Sequence, residues 1–257
     1  MIADTNVTLS RWPFRRVPGD EPEVLVAKLR SQSVTEAWTG SFDGLLHEDI
    51  GGVNERLASD CRKYGAGLLK PFGSINLRLP DWQDDVRRCH ERFSMRGLRL
   101  HPNYQGYGLG GAPFIELLEM ATERKMLVQI AAVMEDERTQ NPLVRAPLVN
   151  FAPLAAALKR VPEARVQILN SGRLAPQLRQ SLLAAGHVYL DIAMVEGVYG
   201  LVRLLEASPA GRVLFGSYYP LFYLESATLK LQEAGVEGAA REALLSGNAR
   251  ALMAALQ

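Results

Sequence analysis

The chain opens with Ile2-Ala3-Asp4-Thr5-Asn6-Val7-Thr8, followed by Ser10-Arg11-Trp12-Pro13-Phe14. The first stretch predicts a β-strand, and the second decides between two α/β folds. A doubly wound sheet usually places a glycine-rich phosphate loop directly after its first strand. Here arginine and bulky aromatic residues follow instead. We therefore expect a closed (β/α)₈ TIM barrel of parallel strands.

The rest of the chain supports this choice, because short apolar runs alternate with longer amphipathic runs. The pattern predicts eight strands, near 1–8, 34–40, 67–75, 97–101, 127–133, 165–170, 187–193 and 212–217. It predicts ten helices, near 22–31, 47–64, 81–94, 113–125, 151–160, 174–184, 198–207, 222–234, 237–245 and 247–256. No shift in composition marks a boundary, so we expect a single domain over residues 1–257.

Composition and charge exclude several classes of partner. The 29 Lys and Arg residues nearly cancel the 28 Asp and Glu residues, and no block of like charge occurs. Nucleic acids and acidic membranes are therefore not expected partners. No apolar run approaches the roughly 20 residues of a membrane helix, and no signal peptide is recognisable. The two cysteines, Cys61 and Cys89, lie in helical patterns, which is typical of reduced thiols in the cytoplasm.

Polar residues recur on the predicted inner face of the barrel. Because strand residues two apart share a face, Asp4, Asn6 and Thr8 should form one polar row. The later strands contribute Arg99, His101, Gln129, Asn170, Asp191 and Tyr218. Buried charge is costly unless it is paired, so Arg99 with Asp191 or Asp4 fits a structural ion pair. The alternative is an arginine that recognises an anion beside carboxylates that transfer protons.

Two long loops at the predicted functional end of the barrel also carry charge, after strands 1 and 5. Glu135, Asp136 and Arg138 lie in the second loop, where a carboxylate could activate water and Arg138 could hold an anion. A solvated charged turn is the alternative. In the first loop, Arg15 belongs to a basic and aromatic segment that could wall a pocket or simply pack onto the rim. His101 ends a strand, and an imidazole suits proton transfer at neutral pH.

Four segments together resemble the amidohydrolase-related (amidohydrolase 2) family of the metal-dependent hydrolase superfamily. They are Ile2-Ala3-Asp4-Thr5, Gly97-Leu98-Arg99-Leu100-His101-Pro102, Val213-Leu214-Phe215-Gly216-Ser217 with Tyr219-Pro220, and Leu245-Ser246-Gly247-Asn248-Ala249-Arg250. The resemblance extends from residue 2 to about residue 253 and implies a (β/α)₈ barrel with hydrolytic chemistry.

The same resemblance implies that the usual metal ligands are replaced. The five positions at which the family holds its metal fall on Asn6, Thr8, Ala131, Asn170 and Tyr218. Amide, hydroxyl and methyl groups are poor ligands for first-row metals, which prefer imidazole, thiolate or carboxylate. We therefore expect no metal centre of the usual kind and no cofactor. Tyr218 could fill the space that the metal would need, or donate a proton.

Three functions follow from these residues. The first is a metal-independent hydrolase of a small anionic carbonyl compound, such as a lactone, ester or amide. Its predicted catalytic residues are His101, Glu135, Asp136 and Asp191. Its predicted substrate-binding residues are Asp4, Asn6, Thr8, Arg15, Arg99, Arg138, Asn170 and Tyr218. The second is a pseudoenzyme that keeps a ligand pocket. The third is a displaced metal site built from Asp4, His101, Glu135 and Asp191. Homodimers are possible, because relatives often form them.

Overall fold

The structure is a computed structural model that describes residues 1–257. All neighbouring strands pair in parallel. The strands are β1 (Ile2–Leu9), β2 (Val34–Ser41), β3 (Leu69–Pro71), β4 (Gly73–Ser74), β5 (Gly97–Leu100), β6 (Leu127–Ala131), β7 (Arg165–Leu169), β8 (His187–Asp191) and β9 (Val213–Leu214).

Hydrogen bonds across two gaps close these strands into one barrel. Strands β1 to β3 form one sheet and β4 to β9 the other. Only Phe72 separates β3 from β4, and its N–H donates to the carbonyl of Thr39 in β2 at 2.8 Å. On the other side, the N–H of Thr5 donates to the carbonyl of Phe215 at 2.9 Å, beside a parallel bridge between Val7 and Tyr219. The predicted (β/α)₈ barrel is confirmed.

Helices follow the strands, close to the predicted positions. They are α1 (Pro22–Ser31), α2 (Ile50–Gly65), α3 (Trp82–Glu91), α4 (Pro102–Gln105), α5 (Ala112–Glu123), α6 (Leu154–Arg160), α7 (Pro176–Ala185), α8 (Gly200–Glu206), α9 (Leu224–Glu233), α10 (Gly238–Glu242) and α11 (Asn248–Ala254). Short 3-10 turns cover Phe42–Leu45 and Ser171–Arg173, and a π-helical turn covers Ala243–Gly247. The start of α2 is later than predicted, because the Asp49 side chain caps it by accepting from the N–H of Gly52.

Strand β1 does not alternate as the sequence suggests. Its pairing with β2 shifts register between Asp4 and Val7. The hydroxyl of Thr5 consequently receives a hydrogen bond inside the barrel from the side chain of Gln167, at 2.7 Å. Asp4 instead accepts from two backbone N–H groups, those of Asn6 (3.1 Å) and Ser217 (2.9 Å). Asn6 and Thr8 form hydrogen bonds inside the barrel, as the predicted polar row requires, but the irregularity interrupts the two-residue period, because Thr5 also faces the interior.

Apolar clusters seal the barrel at both ends. A large core lies between the strands and the surrounding helices. At the N-terminal ends of the strands, Trp38 stacks on Phe72 beside Leu252 and Leu256 of the C-terminal segment. At the C-terminal ends, Trp12 and Tyr218 belong to a second cluster. None of the helices is both long and apolar enough to cross a membrane.

Candidate functional site

Arg99 lies at the centre of the barrel and is only 2% exposed. A guanidinium has five N–H donors, and the protein supplies an acceptor for each of them. The acceptors are Gln129 Oε1 (2.8 Å), Thr8 Oγ1 (3.2 Å) and the carbonyl oxygens of Val7 (2.7 Å), Trp38 (2.9 Å) and Thr5 (3.4 Å). Burial lowers the pKa of Arg99 to about 10, which leaves it charged at neutral pH.

These contacts correct two predictions for Arg99. No ion pair joins it to Asp4 or Asp191, because carbonyl and hydroxyl oxygens surround the guanidinium instead. It also has no donor left for a substrate, and Thr8 is occupied as one of its acceptors. Gly40 provides the space, since a Cβ there would lie 2.6 Å from Arg99 Cδ. Arg99 and Thr8 are thus parts of the barrel framework and not substrate ligands.

A second hydrogen-bonded group lies nearer the C-terminal ends of the strands. Asn6 Nδ2 donates to Asn170 Oδ1 at 2.9 Å and to Asp191 Oδ2 at 2.7 Å. The N–H of Asn170 donates to Asp191 Oδ1 at 2.9 Å, and its Nδ2 donates to the carbonyl of Val133 at 2.7 Å. Burial raises the pKa of Asp191 to about 7, opposed by the hydrogen bond from Asn6. The predicted site residues Asn6, Asn170 and Asp191 are therefore brought together, but they satisfy one another.

Asp4 and His101 are both fully buried. Burial raises the pKa of Asp4 to about 6, although hydrogen bonds from Ser217 and Asn6 oppose the shift. Burial, and then the positive charge of Arg99, lower the pKa of His101 to about 3. His101 is thus a weak base, enclosed in the protein, at the N-terminus of α4. Burial and a lowered pKa both argue against the predicted role of His101 as a general base at neutral pH.

An aromatic plug, consisting of Trp12, Phe42 and Tyr218, covers this polar interior. The ring of Trp12 makes an edge contact with the ring of Phe42 at 5.2 Å between centroids. The hydroxyl of Tyr218 donates to the carbonyl of Met134 at 2.7 Å. Because Tyr218 is fully buried and its hydroxyl is occupied, it fills the mouth of the barrel and does not face an open pocket.

The donors in the barrel do not fit a transition-metal ion. No three side chains of His, Cys, Asp or Glu lie close enough together to hold one. Asn6 and Asn170 offer amides that already bond to each other, and Ala131 offers no donor. The predicted displaced site also fails: Asp4, His101 and Asp191 are buried apart in the framework, and Glu135 pairs with Arg15 on the rim.

The open part of the site lies on the rim, in the loop after β6. Glu135 is only 5% exposed and forms an ion pair with Arg15. Asp136 receives two hydrogen bonds from the guanidinium of Arg138, at 2.9 and 3.0 Å, and one from Arg173 at 2.6 Å. The hydrogen bonds from Arg138 hold the pKa of Asp136 well below its usual range. Asp136 is consequently too weak a base for the catalytic role that the sequence predicts.

These rim residues border two adjoining clefts of about 300 and 360 Å³, which we call the rim cleft. Both clefts are lined by Glu135, Asp136, Arg138 and Arg173. Sequence reasoning missed Arg173, although it follows directly on Asn170-Ser171-Gly172 at the end of β7, where barrels place functional groups. Guanidinium groups at such a site can hold an anionic molecule. A nearly buried carboxylate beside them can accept a proton from water.

Comparison with known proteins places the chain in a family. A sequence model of the amidohydrolase family matches residues 9–253. No curated protein sequence matched the chain.

Three solved structures illustrate the structural likeness. The 5-carboxyvanillate decarboxylase LigW of Sphingomonas paucimobilis is 10% identical over 98% of each chain, with a TM-score of 0.77. The 2,6-dihydroxybenzoate decarboxylase of Rhizobium is 12% identical over 99% of each chain, with a TM-score of 0.74. A probable 2-pyrone-4,6-dicarboxylic acid hydrolase of Acinetobacter baumannii, with citric acid bound, is 14% identical over 98% of this chain and 99% of its own, with a TM-score of 0.67.

At these identities the structural likeness shows the fold, and the match of the family model over nearly the whole length shows the relationship. Both agree with the resemblance found in the four sequence segments. The chain belongs to the amidohydrolase family.

Proposed function

We propose that the protein is an amidohydrolase-type enzyme that works without a metal, on a small anionic carbonyl compound bound in the rim cleft. One observation carries the proposal. The rim cleft lies at the C-terminal ends of the strands, where barrels hold their active sites, and Glu135 lines it beside three arginines. The membership of the chain in a family of enzymes supports the same conclusion.

The names of the structural neighbours support an anionic carboxylate as the substrate. Two neighbours are decarboxylases of substituted benzoates, and a third is named for a dicarboxylic acid that contains a lactone. In this chain, Arg138 and Arg173 are the cations that a carboxylate would meet. The side chain of Arg138 is 88% exposed, and that of Arg173 is half exposed. Planar guanidinium groups bind carboxylates through paired hydrogen bonds.

The proposed mechanism assigns the reaction to Glu135. Its carboxylate takes a proton from a water molecule, whose oxygen attacks the carbonyl carbon of the lactone or ester. A guanidinium of the rim cleft stabilises the negative charge on the carbonyl oxygen. Glu135 then returns the proton to the departing oxygen, so that water is consumed and an acid and an alcohol are formed. Arg15, the ion-pair partner of Glu135, positions the base.

A second candidate is a barrel that binds the same anion without turnover. The observation that favours it is the pairing of both rim carboxylates: Glu135 with Arg15, and Asp136 with Arg138 and Arg173. For Asp136, the hydrogen bonds from Arg138 lower the pKa of the carboxyl group and make it a weaker base. The buried His101, Asp4 and Asp191 provide no reachable replacement.

A substrate screen separates these candidates. Chelator-treated protein is incubated with lactones, esters and amides that carry carboxylates, beginning with 2-pyrone-4,6-dicarboxylate, and binding is measured by calorimetry. We expect turnover that Glu135→Gln lowers at least a hundredfold, whereas Glu206→Gln, at an exposed glutamate outside the rim cleft, has no effect. Arg138→Gln should raise KM. Binding without turnover would favour the second candidate, and the absence of any binding would overturn both.

A further inference from the structure

Another cleft lies next to the rim cleft and shares two lining residues with it. It has no role in the proposed reaction. Its volume is about 410 Å³, within the usual range for small-molecule pockets. It lies between the loop after β1, the start of α1 and the segment after β9. We call it the tyrosine cleft. The residues that decide its chemistry are Arg16, Val24, Lys28, Tyr219, Pro220 and Tyr223.

The charge of the lining has one sign. Arg15, Arg16 and Lys28 line the tyrosine cleft, and none of its other lining residues is acidic. Each cation has an ion-pair partner, but those partners lie outside the lining. They are Glu135 for Arg15, Asp20 and Glu21 for Arg16, and Glu225 for Lys28.

The ion pairs leave N–H donors unused on two side chains that line the cleft, Arg16 and Lys28. Lys28 has three N–H donors, and its contact with Glu225 uses one of them. Arg16 uses its Nε and Nη2 groups on Asp20 and Glu21, so that both hydrogens of Nη1 remain. An anion in the cleft would therefore find hydrogen-bond donors without breaking the ion pairs.

The remaining lining is largely apolar, and part of it is open to solvent. Val24 is 54% exposed and Tyr223 is 76% exposed, and both are among the large apolar or aromatic side chains that the fold does not cover. Tyr219 forms a firm wall, because its hydroxyl packs on Gly19. A Cβ at that glycine, which has a φ of +86°, would lie 2.0 Å from the hydroxyl oxygen. Exposed apolar residues beside cations suit a ligand with an apolar body and an anionic head.

We propose that the tyrosine cleft binds a small carboxylate with an apolar tail. The carboxylate meets Lys28 and Arg16, and the tail covers Val24, Pro220 and the ring of Tyr223. The site differs from the proposed active site in its lining, because neither Glu135 nor Arg138 borders the tyrosine cleft. The two clefts share only Arg15 and Leu221. The test therefore uses variants at other residues, none of which lines both clefts.

Titration calorimetry with octanoate tests the proposal on the full chain. Octanamide has a similar tail without the charge, and butyrate has the charge with a shorter tail. We expect octanoate to bind at least fivefold more tightly than either. Val24→Asp should weaken octanoate binding at least tenfold, because it places a carboxylate in the cleft. Val24→Asn introduces a side chain of the same shape as aspartate without the charge, and should weaken octanoate binding less than threefold. Val24 lies on the exposed surface of α1, so both variants should fold.

Two further pairs of variants show where the carboxylate and the apolar tail of the ligand bind. Lys28→Gln should weaken binding and Lys28→Arg should restore it. Tyr223→Ala should reduce the advantage of octanoate over butyrate, whereas Tyr199→Ala, at an exposed tyrosine outside the cleft, should not. Equal binding of octanoate and octanamide, or equal binding by Val24→Asp and Val24→Asn, would overturn the proposal. So would octanoate binding that Arg138→Gln abolishes, because that result assigns the ligand to the rim cleft.

Discussion

At the scale of single residues, Arg99 is the most heavily bonded side chain of the barrel. Its guanidinium joins β5 to β1, β2 and β6 through all five of its donors. A buried charge of this kind costs desolvation energy that only complete hydrogen bonding offsets. The alternation of the sequence predicts that Arg99 points inward. It does not predict that carbonyl oxygens, rather than carboxylates, receive the guanidinium, because backbone acceptors have no sequence signature.

We predict that Arg99→Lys destabilises the protein by about 3 kcal/mol. An ammonium group has three donors on a different geometry and leaves buried carbonyl groups without a partner. Urea denaturation measures the free energy of unfolding. Arg138→Lys, at an exposed arginine, is the control and should change it by less than about 0.5 kcal/mol. Equal unfolding midpoints for wild type and Arg99→Lys would contradict the structural role.

The buried carboxyl groups predict how stability changes with pH. The pKa of Asp4 is raised from 3.8 to about 6 and that of Asp191 to about 7. The folded protein therefore holds these protons more tightly than the unfolded chain, and the stability they contribute is lost as the pH rises through these values. In Asp4→Asn, the decrease in unfolding free energy between pH 5 and pH 8 should shrink by about 1.5 kcal/mol.

Urea denaturation at both pH values measures this change. The exposed Glu237→Gln serves as the control and should keep the full decrease. An Asp4→Asn variant with the pH dependence of the wild type would show that Asp4 is ionised in the folded protein.

At the scale of elements, the loop after β1 closes the barrel through Trp12. The sequence predicts a long loop there and leaves open whether its aromatic residues pack onto the rim or wall a pocket. The structure shows packing for Trp12, which contacts Phe14, Phe42 and Tyr104. The register shift in β1 could not be foreseen, because a bulge changes which residues face inward without changing the composition of the strand.

Trp12→Ala should loosen this loop. The substitution removes a fully buried indole and three aromatic contacts, which corresponds to a loss of about 3 to 5 kcal/mol. We expect trypsin to cleave after Arg15 and Arg16 at least tenfold faster than in the wild type. Phe14→Ala, at a partly buried ring in the same loop, should have a smaller effect. Unchanged cleavage in Trp12→Ala would mean that another contact anchors the loop.

At the scale of the whole molecule, the barrel and its family were predictable, and the open site was predictable in part: the predicted residues Arg15, Glu135, Asp136 and Arg138 line the rim cleft, whereas Arg173 was missed. The period of apolar runs and four short segments were enough for the fold. The sequence does not show which polar residues are accessible to a ligand. Its alternation predicts that Arg99, His101, Asp4 and Asp191 point into the barrel, and the fold encloses all four. Only the rim residues remain open. Homodimer formation and a cytoplasmic location stay predictions.

The replacement of the metal ligands also stays a prediction, and the metal content of the whole protein tests it. We expect protein prepared with added Zn²⁺ to retain less than about one tenth of an equivalent of transition metal, since amides already bonded to each other are poor ligands. Elemental analysis measures the content, and a chelator should leave Tm unchanged. One equivalent of metal per chain, with a Tm that falls on chelation, would contradict the expectation.

The enclosure of Arg99 has a consequence for observing the molecule. With apolar clusters at both ends of the barrel, the guanidinium protons of Arg99 are shielded from water. Their exchange with deuterium then requires the closed ring of strands to separate. In nuclear magnetic resonance spectra, the rate at which the signals of these protons disappear in deuterated water would report opening of the whole barrel, independent of motions on the rim.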